Sequence, residues 1–373
     1  MEIEIRTLAD VTPHLPQDAG LFVAHREGYS FVDYSYVTDG TFANSVAQQC
    51  RGLKFDEDGR LIARPFHKFF NIGEREDPSE VDWSGPHVVM DKLDGSMVHP
   101  AQIGGKLVLM TRKGLSAQAR AAEAWASDGV WALSAALLAA GRTPIFEYTA
   151  PDNQIVINYP SPALTLLAVR DTVSGRYAPI EELRDLAATW AVPVVQVFEP
   201  IKDIRAFIRD GRALEGQEGR VVAFADGTRY KLKADAYVLR HRALAGLAHE
   251  KDLMRLIAED GLDDVLPLLP PDVAARAHAY RNGLMARLHV LQREVQAFVE
   301  TVTDLDRRQA AERITANLEP RLRKIAFMML DGKDPWESVL VLLASAGRSS
   351  TQVDAMRDLL LTEWTGIPVG TDA

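Results

Sequence analysis

The residues best spaced for chemistry lie in Val88-Val89-Met90-Asp91-Lys92-Leu93-Asp94-Gly95-Ser96. An apolar run delivers Lys92 to the end of a strand, and a tight Asp94-Gly95 turn follows at once. A strand end fixes the lysine's stem and a glycine lets a ligand approach the backbone, so Lys92 is placed to act as a covalent nucleophile. Its ammonium form is inert. At an unperturbed pKa of about 10.4, roughly a few molecules in ten thousand are neutral near pH 7, so neighbouring cations or a metal must lower it. Taken alone, Lys-x-Asp-Gly also describes a solvated lysine before a hairpin turn. With Ser96 included, roughly one random chain of this size in a few hundred would carry the motif.

Other segments supply what such a lysine needs. Arg51 stands in Cys50-Arg51-Gly52, which opens a strand. In residues 64–71 alternation puts Lys68 and Phe70 on one face, where a cation and a ring would hold a phosphate and a base together. Glu147 sits between Phe146 and Tyr148, and a charge there is costly unless it meets a metal, a hydroxyl or a cation. Glu218 enters a buried strand. Lys231 and Lys233 share one face of the last strand, an arrangement that suits a triphosphate and would depress the pKa of a nearby lysine.

These residues need a scaffold of strands. Residues 3–5, 21–23 and 29–37 read as short strands, 53–70 continues them through an Asp58-Gly59 hairpin, and 106–111 alternates. Residues 116–141 read as an Ala-rich helix with Trp125, Val130, Leu133 and Leu137 on its spacing and Gly141 at its end. Strands return at 145–148, 164–170, 220–224 and 229–232, with helices over 181–190 and 202–210. After about residue 243 strand signals stop. Leu284, Leu288, Leu291, Val295, Phe298, Val302 and Leu305 mark a packed helix. Residues 307–324 are basic; such a run is usually a solvated helical face, with RNA contact as the alternative. The expected architecture is α+β: an N-terminal domain of antiparallel sheets over 1–243 and an all-α domain over 244–373.

The bulk composition narrows the class. Hydrophobic content of 47% and charged content of 25% fit a soluble globular chain. A single cysteine, Cys50, excludes an intrachain disulfide. No apolar run reaches the ~20 residues of a membrane helix, and the acidic N-terminus is unlike a targeting peptide, so a cytoplasmic location without membrane contact is expected. Net charge of −10 argues against coating nucleic acid over a broad surface, but leaves room for a local basic groove. Nothing indicates an obligate protein partner.

Together and in this order the segments resemble the covalent nucleotidyltransferases: DNA ligases, RNA ligases and mRNA capping enzymes. Within them, residues 50–52, 64–71, 92–96, 112–114, 146–159, 218–222 and 231–237 are most similar to ATP-dependent RNA ligases of the bacteriophage T4 RNA ligase 1 type. The resemblance implies an N-terminal adenylyltransferase domain in which Lys92 attacks ATP to form a lysyl-AMP. AMP then passes to an RNA 5′-phosphate, and an RNA 3′-hydroxyl displaces it.

It further implies that Asp94 and Gly95 belong to the nucleophile motif. Tyr34, Arg51, Lys68 and Lys113 would serve the nucleotide, and Phe70 the adenine. Glu147 would bind the ribose and help a metal, Glu218 would hold Mg²⁺ or Mn²⁺ beside the nucleophile, and Lys231 and Lys233 would grip the phosphates. Asp263 matches a metal-binding aspartate. RNA with 5′-phosphate and 3′-hydroxyl ends, including cleaved tRNA, is the implied partner, in RNA repair. Arg220 departs from the apolar or aromatic residue usual after Glu-Gly. A DNA ligase, a capping enzyme and a non-catalytic RNA- or nucleotide-binding relative are the alternatives; the first two usually append a β-barrel where this chain reads helical.

Overall fold

A computed structural model describes residues 3–16 and 18–366; Met1 and Glu2, the start of the acidic N-terminus, lie outside them. The chain divides into two compact units, the first reaching Val238 and the second beginning at Leu239, a break inside the helix Asp235–Ala245.

The first unit is built on strands β1 (Leu21–Arg26), β2 (Tyr29–Tyr34), β3 (Leu53–Phe55), β4 (Leu61–Ala63), β5 (Phe70–Asn71), β6 (His87–Lys92) and β7 (Ser96–Ile103). It continues with β8 (Lys106–Met110), β9 (Arg142–Thr149), β10 (Ala163–Asp171), β11 (Val197–Phe198), β12 (Gly219–Phe224) and β13 (Arg229–Lys233). They form three sheets, in the orders β1-β2-β3-β4, β10-β9-β7-β8 and β11-β6-β12-β13-β5. Neighbours pair antiparallel except β13 and β5, which are parallel.

The nucleophile motif is therefore not a hairpin. β6 belongs to one sheet and β7 to another, so Leu93-Asp94-Gly95 is the crossing between them, and Lys92 stands where the chain leaves the first. The sheets are joined by a core in which Met90, Val98, Phe146, Tyr148, Leu164 and Leu166 pack with Leu133 and Leu137 from a flanking helix. Burial of each large side chain contributes about 1.5–3 kcal/mol, which fixes the crossing as a rigid feature.

Several boundaries differ from the sequence reading. The expected helix over 116–141 is two, Ala117–Trp125 and Asp128–Ala139, because Ser127 caps the second by accepting the Val130 N–H at 3.3 Å. Trp125, expected on the packed face, ends the first helix 58% exposed. Ile3 and Ile5 form no strand, although their N–H groups donate to the Ser174 and Val173 carbonyls. The strand expected over 29–37 stops at Tyr34, and 53–70 is broken into pieces. The Asp58-Gly59 turn does join β3 to β4.

The second unit is helical among its described residues. Its longest helix, Pro271–Glu300, buries Leu284, Leu288, Leu291 and Val295 as the spacing requires, with Val299 taking the place expected of Phe298. Inside it, buried Glu250 accepts hydrogen bonds from Tyr280 at 2.8 Å and Arg357 at 2.9 Å. The basic run over 307–324 forms the helices Arg307–Asn317 and Pro320–Leu330, where Arg308 pairs with Glu312 and Arg321 with Glu319. No helix of the described residues is long and apolar enough to cross a membrane.

Candidate active site

Lys92 ends β6 directly opposite Gly219 at the start of β12, and Lys233 ends β13 opposite the same glycine. A Cβ on Gly219 would collide with the Leu232 carbonyl, so three strand ends close on one point only because that residue is glycine. Glu218, one residue earlier and 3% exposed, receives both lysines: its Oε1 is 2.7 Å from Lys92 Nζ and 3.0 Å from Lys233 Nζ. Gly95 carries the crossing past β9, where a Cβ would strike the Tyr148 carbonyl. Its N–H donates to Glu147 Oε1 at 3.1 Å. Both glutamates thereby face the amine.

These residues line a single pocket with Tyr34, Arg51, Lys68, Asp94 and Lys231 on its polar side. Phe66, Met90, Met97, Ile155, Leu167, Val195 and Val221 form an apolar side, and Arg229 also lines it. The pocket has the composition of a receptacle for a polyanion carrying a flat apolar group.

The charges settle differently from the sequence expectation. Burial alone would lower the Lys92 pKa, but Glu218 and Glu147 outweigh it and hold the amine as an ammonium, with its pKa raised. Glu218 is opposed by burial, yet the two lysines keep it below the usual carboxylate range. Lys231 is the lysine whose pKa is depressed, to about 7, by burial and by Lys68, Lys92 and Lys233. The expected lowering of Lys92 by the lysine pair fails because Glu218 stands between them.

Burial pushes Glu147 up to about 8, against the pull of Lys92. A group with a raised folded-state pKa contributes stability that is full below its unfolded value, about 4.3, and lost as pH rises through about 8. Glu147→Gln should therefore be more stable than the parent by about 1–3 kcal/mol at pH 9 and indistinguishable from it at pH 4, while slowing any reaction that uses the carboxylate. Thermal unfolding at the two pH values measures this.

Asp94 does not face the reacting space with free oxygens. Its Oδ2 accepts from the Val156 and Ile157 N–H groups at 2.8 and 2.7 Å, its Oδ1 from the Tyr237 hydroxyl at 2.7 Å, and its own N–H donates to Tyr159 Oη at 3.0 Å. It ties the crossing to residues 156–159 and to the helix that follows β13. Ser96 makes a further tie, donating to Asn153 Oδ1 at 3.1 Å.

Phe70 and Lys113 do not line this pocket. Phe70 is a wall of a cage around Lys68, whose Nζ lies 5.3 Å from the Phe70 and Phe42 ring centroids and 5.9 Å from that of Tyr34. Alternation put Lys68 and Phe70 together correctly, but it is Phe66 and Phe69 that reach the pocket. Lys113 is exposed on a turn between Thr111 and Gly114, whereas its neighbour Arg112 turns inward, 3.2 Å from Asp33 and 4.4 Å from the Tyr34 ring centroid. Asp263 belongs to the second unit, 70% exposed and paired with Arg281 at 2.6 Å.

Sequence reasoning passed over Tyr237, Tyr159, Phe42 and Arg229. Tyr159 and Tyr237 close the stretches 146–159 and 231–237 compared above, and Arg229 shares the alternation of Lys231 and Lys233.

A half-buried amine paired with a buried carboxylate, with a row of cations beside it, defines a site for covalent transfer chemistry on phosphates. The chain matches the RNA ligase family model of the T4 RNA ligase 1 type over residues 49–237, half its length, and belongs to that family. It is 30% identical over 283 residues to RNA ligase 1 of bacteriophage TS2126, covering 69% of each chain. A candidate RNA ligase of Thermovibrio ammonificans is 27% identical over 306 residues, 79% of each. Among solved structures, an archaeal ATP-dependent RNA ligase aligns with a TM-score of 0.46 and 20% identity over 62% of this chain and 64% of that one.

Proposed function

We propose that this RNA ligase uses ATP and works through Lys92, which captures AMP and relays it to an RNA 5′-phosphate. The observation that carries the reading is the Lys92–Glu218–Lys233 cluster, at 2.7 and 3.0 Å, in a pocket that Arg51, Lys68 and Lys231 also line. In the first step Lys92 Nζ loses a proton to solvent and bonds to the α-phosphorus, the bond from that phosphorus to the bridging oxygen breaks, and pyrophosphate leaves. In the second, a 5′-phosphate oxygen of RNA attacks the same phosphorus and the P–N bond breaks, returning the amine. In the third, a 3′-hydroxyl attacks the RNA phosphorus and AMP departs.

Lys233, Lys231, Lys68 and Arg51 bind the phosphates, and the apolar side receives the base. Glu147, reached through Gly95, orients the nucleotide. Asp94 positions Lys92 through the bonds that anchor the crossing. The donor set fits a magnesium or manganese ion, since Glu147 is a hard oxygen ligand whose ionisation burial opposes more strongly than Lys92 favours it, so that a further counter-charge would be accommodated. Among the described residues no three His, Cys, Asp or Glu side chains group as a metal cage. A pair of carboxylates suits magnesium, which takes its remaining ligands from water and substrate phosphates. Glu147 and Glu218 would hold the ion, which when bound neutralises charge on the leaving pyrophosphate. The adenylyltransferase unit and a helical C-terminal domain concerned with RNA choice complete the reading.

Incubation with ATP labelled at the α-phosphate tests it. The label should become covalently bound to the protein, γ-label should not, and GTP should not substitute. Chasing with a panel of linear RNA, nicked duplex and tRNA cut in its anticodon loop identifies the substrate. No labelling with ATP, or labelling with GTP alone, would overturn the proposal.

A further inference from the structure

Arg229, buried in the lining of the same pocket, has no part in the phosphate chemistry above. It opens β13, so period two places it on the same face as Lys231 and Lys233, the three cations standing roughly 7 Å apart along the strand. Lys233 lies opposite Gly219, the partner of Lys92, Lys231 opposite Val221, and Arg229 opposite Ala223. The row thus runs along β13 away from the nucleophile, with Met90 level with Lys231 across β12 and Arg229 one step further on. Arg229, the third cation of the row, lines the same pocket as the two assigned to phosphates and is left for another part of the nucleotide.

The guanidinium is held for such a task. Its carbon is 4.0 Å from the Tyr177 ring centroid and 5.2 Å from that of Phe66, and those two rings lie 6.0 Å apart, so both pack against the guanidinium without enclosing it, Tyr177 also accepting a hydrogen bond from it. Arg229 is 7% exposed, and its Nε and Nη1 find no hydrogen-bond partner. A buried donor left open is costly, more so when charged, and an acceptor on a ligand would remove that cost.

We propose that Arg229 reads the nucleotide base, donating a hydrogen bond to a ring nitrogen of adenine. Arginine only donates, so it selects for an acceptor at the atom it meets. At N1 it would separate adenine from guanine, whose N1 carries a hydrogen; at N7 it would accept both purines. The inference rests on the nucleotide reading of the pocket.

Three analogues of ATP test it on the unaltered protein: 1-deaza-, 3-deaza- and 7-deaza-ATP, each with one ring nitrogen replaced by C–H. One analogue should lose tenfold or more in the efficiency of protein adenylation, the other two staying within threefold of ATP. In Arg229→Met that selective loss should disappear, all four nucleotides reacting alike. Three analogues equal to ATP on the parent protein would overturn the proposal, as would a selective loss that survives in Arg229→Met. If the variant does not fold, as thermal unfolding would reveal, the analogue series on the parent still decides. Failure of ATP itself to label the protein would sink the nucleotide reading, whereas labelling with a flat analogue series would remove only the role of Arg229.

Discussion

Lys92→Ala should abolish covalent capture of AMP, with a fall on the order of 10⁴-fold or more in the rate of protein labelling, since the other amines of the pocket, Lys68, Lys231 and Lys233, are engaged with the phosphates and do not stand at the crossing. Lys92→Arg should fare no better. It keeps the charge that pairs with Glu218 but offers a guanidinium that does not deprotonate, and so separates nucleophilicity from ion pairing. The variants should differ from the parent far less on RNA whose 5′ end already carries AMP. Joining that end to a 3′-hydroxyl needs the phosphate-binding cations but no free amine, so a loss within about 100-fold is expected there. A gel assay with both substrates makes the comparison. Equal losses on both would mean that Lys92 serves binding or folding and is not the point of attachment.

The motif was legible because its chemistry is local. Lys92, Asp94, Gly95 and Ser96 occupy five positions, and period-two alternation placed Lys231 with Lys233, and Lys68 with Phe70, on common faces. Glu147 could be singled out because a carboxylate amid apolar neighbours is costly, and Glu218 because it enters a buried strand; Glu218 pairs with the amine and Glu147 acts on its charge.

What failed depended on long-range packing. Which of Phe66, Phe69 and Phe70 reaches the pocket is decided by the parallel pairing of β5 with β13, a contact between segments about 160 residues apart. Lys113 and Arg112 are adjacent cations, and only the position of Asp33 draws one inward. The partners of Asp94, the Tyr237 hydroxyl and two backbone N–H groups from residues 156 and 157, come from distant segments and could not be read from the nucleophile motif alone. The protonation of Lys92 was also out of reach. A sequence shows that cations are near a lysine, but not that a glutamate lies between them.

That glutamate carries the second large effect. Glu218→Gln removes the charge that most strongly opposes burial of the Lys92 ammonium, leaving burial to act against a weaker pull from Glu147. The pKa of Lys92 must then fall. Single-turnover adenylation should consequently rise toward its plateau at a lower pH than in the parent, by about a unit or more, even as the plateau drops on the order of 100–1,000-fold for want of the carboxylate. The sign of the stability change follows from the same pair. Glu218, with its folded-state pKa lowered, contributes stability above its unfolded value near 4.3 and loses it as pH falls below. Lys92, with its pKa raised, contributes below its unfolded value near 10.4 and loses it above. Between about pH 5 and 10 the variant leaves two half-buried ammonium groups without their shared partner, and should be less stable by about 1–3 kcal/mol, the partial exposure of both lysines keeping the loss below that of a fully buried pair. At pH 3 the difference should close. A pH–rate limb that stays in place in Glu218→Gln would mean that this carboxylate does not set the charge of Lys92, and that the amine is activated by groups other than those facing it.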